Sequence, residues 1–448
     1  MKRLRLTLAA IALLLTAMLH AELAPVQAAV PAELKASFGT QTATPSYPSG
    51  ITFNLAYTAE ETVDRAELFY SIAGNETLNL ITPSVQPGPE GEISYPLDLQ
   101  TYYLPPGVEI TYYWRLTGKD GAQAETAPAT ITWLDTRFNW QTSRTDKIIV
   151  STYDGDAGFA QKILDTAQQA ADQIESDLNV QITQPIHIWA YSSTKDFSGT
   201  QAPNSESWIA GVAYQPFRLI LAVLPTGDTN EVGRVIPHEM SHQIVYQAIK
   251  NPYSGLPTWL DEGLAVVYQH GGKDQYPELV QTAADQGLLY SVRSLNSGFP
   301  YDGGGATLAY AESYSIVTFI QKQWGEQALA NMILAYKNGV TNDEAAMSAL
   351  GVDIDGLDKM WKDSLGYKGD KGPAGTIVPV RDSGSGTSWG ELLASGVLIW
   401  AFIALAGMFL VIRAWSRRKP EHDEDDDIDI TWNGNHQFTS TRAFTTLR

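Results

Sequence analysis

His238-Glu239-Met240-Ser241-His242 is the stretch from which the rest of the chain can be read. In a helix, residues four apart share a face, so the two imidazoles can bind a single Zn²⁺ and Glu239 can reach a water beside it. The flanks read as helix: Thr229-Asn230-Glu231 opens like a capped start, and Val232, Ile236, Met240 and Ile244 form an apolar stripe. Pro237 sits awkwardly in that pattern and predicts a helix that bends there or begins later. Seventeen residues past His242 begins Trp259-Leu260-Asp261-Glu262-Gly263-Leu264-Ala265, in which Glu262 is the candidate third ligand. Three protein ligands with an open fourth position are the pattern of a catalytic rather than a structural zinc. Histidine is scarce: outside the two ends of the chain only His187, His238, His242 and His270 occur, and two of these lie in the motif.

These segments resemble the peptidase-MA-like domains of the gluzincin clan, relatives of thermolysin and aminopeptidase N, over roughly Lys147 to Gly366. Three segments carry the resemblance. Val235 to His242 matches the zinc helix, and Trp259 to Ala265 looks like the clan's W-L-x-E-G-x-A segment, whose glutamate binds zinc. Tyr310-Ala311-Glu312-Ser313, with Trp324-Gly325-Glu326 after it, is similar to the clan's Y-x-x-G/S helix. The resemblance implies one Zn²⁺ per chain on His238, His242 and Glu262, with Glu239 as general base. It also implies Tyr310 as hydrogen-bond donor to the oxyanion, with Tyr314 as competitor one turn away. Two departures stand out. Trp208 to Tyr214, where aminopeptidases carry a glutamate for the substrate's amine, has no acid, which points to an endopeptidase. Four residues past Glu262, where thermolysin has a histidine-orienting aspartate, stands Val266, so Asp261 or another group must orient the histidines.

The whole chain sets the frame. Lys2, Arg3 and Arg5 precede an apolar run from Leu6 to Leu19, and small residues near Ala28-Ala29 offer a cleavage site, the pattern of a signal peptide at 1–29. There is no cysteine, so an exported protein of this length would be held by core packing alone and is expected to be bacterial. Leu392 to Ile412 is 21 residues without a charge, followed by Arg413, Arg417, Arg418 and Lys419. That predicts a single transmembrane helix with the N-terminal domains outside the cell and the 413–448 tail cytoplasmic. A Gly/Ser/Pro-rich linker, 369–391, precedes it. The formal charge of −20, part of it in the acidic tail, argues against a nucleic-acid partner. Gly303-Gly304-Gly305 lacks the lysine of a phosphate loop and reads as a mobile loop beside the site.

Between the signal and residue 143, alternating segments such as Ile51–Tyr57, Arg65–Tyr70, Ile110–Leu116 and Ala129–Trp133 predict short strands. The expected fold is therefore multidomain. It comprises an all-β immunoglobulin/fibronectin-like sandwich (30–143), an α+β zincin-type metallopeptidase domain (144–368) and the single transmembrane helix (392–412). Within the second domain, strands at Lys147–Ser151, Ile186–Tyr191 and Leu219–Val223 and a helix at Ala157–Leu178 are expected. Ile209–Tyr214 or Leu219–Val223 is suited to align a substrate backbone. His187 and His270 read as packing residues. The function expected is a membrane-anchored zinc metallopeptidase acting on peptides or proteins; the alternative is a catalytically inactive zinc-binding sensory or adhesive ectodomain.

Overall fold

The computed structural model describes residues 32–74, 77–100, 103–201, 209–253, 255–300, 303–369 and 443–445. The expected signal peptide, the 392–412 span, the linker from 370 on and the tail apart from 443–445 lie outside them. Among the described residues no helix is long and apolar enough to cross a membrane. The two longest, Ala157–Leu178 and Gly303–Trp324, carry acids, amides and lysines along their length. The expected three-part class is corrected accordingly: the described chain is a β-rich region followed by an α+β domain.

The β-rich region also departs from the expected sandwich. Ile51–Tyr57 and Arg65–Tyr70 are not separate strands but two halves of β2 (Gly50–Ile72). Thr58 to Asp64 holds no glycine or proline to break it, and register shifts let the strand bend there instead. Its first half pairs antiparallel with β1 (Ala36–Ser46) and β4 (Gly88–Asp98). Its second half pairs with β3 (Leu78–Ile81) and β5 (Glu109–Gly118), and β5 pairs with β6 (Gln123–Glu125) and β7 (Ala129–Thr132). One seven-stranded sheet results, joined by β2's own hydrogen bonds rather than divided into two. It folds over on itself: Phe53, from the first half of β2, meets Tyr112 of β5 edge-to-face at 4.9 Å.

The second sheet has the order β13-β11-β12-β10-β9-β8. β9 (Ile148–Thr152), β10 (Ile186–Tyr191) and β12 (Leu219–Val223) run parallel, which suits their nearly continuous apolar sequences. β8 (Gln141–Arg144), β11 (Ile209–Tyr214) and the three-residue β13 (Ala443–Thr445) are antiparallel to their neighbours. Helix α1 (Ala157–Leu178) crosses behind, its start capped by Asp156 and its end by Asn179 at φ 52°. After a short helix α2 (Thr194–Ser198) and β11–β12, the chain is helical. It runs through α3 (Thr229–Ile249), α4 (Thr258–Tyr268), α5 (Tyr276–Gln286), α6 (Gly303–Trp324), α7 (Glu326–Ala335), α8 (Asn342–Leu350) and α9 (Ile354–Ser364). The triple glycine is thus the first turn of α6, not a loop.

The two sheets share one core. Trp114 and Trp133 of the β-rich region lie in the same apolar cluster as Trp189, Tyr191, Val212 and Leu221 of the second sheet. Hydroxyls stitch the boundary: Tyr191 donates to buried Asp135 at 3.1 Å, and those of Tyr103 and Tyr214 meet at 2.5 Å. The end of β11 is therefore held from outside its own domain.

Candidate metal centre

Helix α3 carries both histidines, and it does so as one element. Asp228 caps it by accepting from the N–H of Glu231 at 3.0 Å, one residue before the expected start. Pro237 lies inside rather than at a boundary. A proline cannot donate to the carbonyl four residues back, here that of Gly233. That carbonyl accepts instead from the backbone N–H of His270 at 3.0 Å, just past the end of α4. A Cβ on Gly233 would lie in ordinary contact with His270 Cβ, at 3.4 Å. The residue that looked disruptive in the sequence docks the two site helices together.

Helix α4 brings the third group. His238, His242 and Glu262 each offer one atom, all within 4.8 Å of one another, and the three are the only such group among the described residues. Glu262 Oε2 lies 3.4 Å from His238 Nε2 and 3.6 Å from His242 Nε2. Tetrahedral ligands at about 2.0–2.1 Å from zinc stand roughly 3.4 Å apart, so the spacing suits that ion. Glu262 Oε2 is also buried without a hydrogen-bond partner. An oxygen left so costs about 1–3 kcal/mol, a deficit that a cation would meet. On both counts the residues fit a bound zinc.

Charge in the cluster is tightly balanced. Burial holds His238 down at about 4, against the opposing effect of Glu262. Burial acts likewise on His242, but the carboxylates of Asp261 and Glu262 outweigh it and lift that imidazole well above its usual value. Burial would raise Glu262, yet His242 and His238 hold it below the usual carboxylate range. Burial pushes Glu239 up to about 8, with His242 acting the other way.

Two groups lie beside the Nδ1 atoms of the histidines. His242 Nδ1 lies 3.2 Å from Asp261 Oδ2, one of the two possibilities the sequence left open. His238 Nδ1 lies 3.2 Å from Gln269 Oε1, a residue that sequence reading missed. Gln269 stands two turns past Glu262 at the C-terminal cap of α4, where no spacing rule pointed to it.

Glu239 is buried against the strand that runs over it. Its Oε1 has no hydrogen-bond partner. A Cβ on Gly211 of β11 would lie 2.7 Å from that oxygen and 2.9 Å from Val235 Cγ1. Only glycine lets the strand approach so closely.

Helix α6 packs along α4 at a second glycine. A Cβ on Gly263 would lie 2.4 Å from the Ser313 carbonyl, so the helices meet backbone to backbone beside Glu262. This contact brings the two expected tyrosines near. Tyr310 is buried with Val266, edge-on to Phe299 at 4.8 Å, while half-buried Tyr314 has Lys273 Nζ 5.4 Å from its ring. A third, Tyr276, was not foreseen. Burial raises its hydroxyl to about 12, Arg234 draws it down and Glu262 pushes it up, which places it within the field of the site. His187 and His270 stand apart: His187 Nε2 meets Ser151 Oγ at 2.8 Å on the sheet, and His270 packs on Gly233.

Three residues that could hold a metal ion thus converge on an α+β scaffold. Residues 166–367 match the family model of the Peptidase MA superfamily. Over these residues the chain is similar to that superfamily, and the match supports a metallopeptidase-like fold. No curated protein matches the chain. Among solved structures it is similar to an M1 zinc metallopeptidase from Deinococcus radiodurans, at 12% identity over 78% of this chain and 96% of that one, TM-score 0.34. It is also similar to OgpA from Akkermansia muciniphila, at 12% identity over 23% of this chain, TM-score 0.20, and spans 30% of that protein's length. At such TM-scores neither likeness carries an argument here.

Proposed function

We propose that this protein is a zinc-dependent peptidase that cleaves within peptide chains. The observation that carries the proposal is the convergence of His238, His242 and Glu262 within 4.8 Å, with Glu239 buried between the two histidines in sequence. One zinc held by these three residues would supply Lewis-acid polarisation of the scissile carbonyl and a more acidic water. Glu239, outside the ligand set, takes the proton from the attacking water and delivers it to the leaving amine. Tyr310 donates a hydrogen bond to the oxyanion of the tetrahedral intermediate.

The endopeptidase reading rests on charge. A free α-amine held in a cleft needs a carboxylate partner, because an unpaired charge is costly to desolvate. The described strand Ile209–Tyr214 carries no acid, and Glu231 is already paired with Arg234. A peptide without a free N-terminus therefore meets no electrostatic penalty for its missing amine.

The test is digestion of a peptide mixture by the purified protein, with cut sites read by mass spectrometry. Chelator-sensitive internal cuts are expected, equal for N-acetylated and free peptides, and lost in Glu239→Gln while its zinc is kept. No cleavage by zinc-loaded wild type would refute the peptidase reading. Single residues released from free N-termini alone would refute the endopeptidase part.

A further inference from the structure

Gln269 is nearly fully buried, and the two ends of its amide face different groups. Its Nε2 donates to the Gly271 carbonyl at 3.0 Å, an oxygen that can only accept. The amide is thereby fixed the right way round, with Oε1 turned to His238 Nδ1 at 3.2 Å. An oxygen in that place requires a proton on Nδ1. That leaves the Nε2 lone pair of His238 aimed at Glu262 and His242, where the metal ligands converge.

The position of Gln269 is itself built in. Its backbone N–H closes α4 onto the Ala265 carbonyl at 3.2 Å, and the next residue, His270, donates to the Gly233 carbonyl left free by Pro237. One helix therefore supplies a ligand, Glu262, and both groups that face the histidines, Asp261 and Gln269. The two are unlike: His242 has a carboxylate and His238 a neutral amide, in a site already holding Glu239, Asp261 and Glu262.

We propose that Gln269 is the positioning residue of His238, fixing its tautomer and ring direction for zinc by accepting from its Nδ1–H. This rests on the metal-site reading above. Zinc affinity of the full chain, measured by competition with a chromophoric chelator, tests it without any turnover assay. Gln269→Ala should weaken binding by about 10–100-fold, the usual cost of losing such a partner. Gln269→Glu keeps an acceptor for Nδ1–H but loses the donor to Gly271, and should bind within about threefold of wild type.

The outcomes separate cleanly. If Gln269→Ala binds as tightly as wild type, Gln269 has no such role. If Gln269→Glu is as weak as Gln269→Ala, the residue acts only by closing the 269–272 turn, and the proposal is overturned. Should Gln269→Ala fail to fold, Gln269→Glu decides alone: binding within about threefold of wild type supports the proposal, and a loss of about tenfold or more overturns it. If wild type binds no zinc, or His238→Ala binds it equally well, the metal-site reading fails instead.

Discussion

Gly211→Ala should cripple catalysis while leaving the metal in place. The added methyl would stand 2.7 Å from Glu239 Oε1, 2.9 Å from Val235 Cγ1 and 3.0 Å from Glu239 Cδ, where ordinary contact begins at 3.4 Å. The carboxylate oxygen must therefore give by about 0.7 Å if the strand stays put. It has little space to do so, because Glu239 is only 1% exposed and Val235 closes the other side. A general base displaced by that much loses its line to the water, and misplacements near 1 Å can cost about a hundredfold in rate. We expect kcat to fall about 10–100-fold with KM little changed. Overpacking should cost about 1–3 kcal/mol of stability, partly offset by the better strand propensity of alanine. Neither His238, His242 nor Glu262 lies among the atoms nearest that methyl, so zinc should remain at one per chain. The assay is steady-state cleavage of a quenched peptide, with zinc by elemental analysis and unfolding by urea. Val235→Ala in the same background should recover part of the lost rate by opening the second side of the clash. Wild-type kcat in Gly211→Ala with full zinc would refute the placement of the base against β11.

Further outcomes follow from the same geometry. His238→Ala or Glu262→Ala should lose zinc, since each removes one of three converging atoms; full occupancy in both by elemental analysis would exclude the site. Tyr310→Phe should lower kcat by about a hundredfold with little change in KM, and a large loss in Tyr314→Phe alone would exchange the two roles. Glu312 is fully buried and accepts from the Tyr290 N–H, and burial holds its carboxyl well above the ordinary glutamate value of 4.5. An acid raised in this way binds its proton more tightly folded than unfolded, so its stabilising effect is complete below pH 4.5 and declines as pH rises. Glu312→Gln should therefore flatten the fall in urea-unfolding stability from pH 4.5 towards neutrality; an unchanged slope would show that Glu312 does not set it.

The candidate metal centre was legible in the sequence because it depends on short-range spacing. Four residues between His238 and His242 put both on one helix face whatever surrounds them, and the run Trp259–Ala265 marked Glu262. Periodicity likewise placed α1, β10 and β12 at their observed limits. Longer-range features were read less well. The continuity of β2 was hidden because alternation looks the same in one long strand and in two short ones; only pairing on both halves distinguishes them.

Sequence alone thus picked out the three residues that the fold brings together, His238, His242 and Glu262, since helical and strand periods are local properties of the chain. Tertiary structure alone decided what holds them in place. Gln269 reaches His238 across 31 residues, Gly211 of strand β11 meets Glu239 of helix α3, and Gly263 admits α6. Pro237 shows the difference most directly. Locally it only removes a hydrogen bond; in the fold, the carbonyl it frees is the one that receives His270 and seats Gln269 beside the metal site. Such partners are set by the packing of elements distant in sequence, which no local pattern encodes.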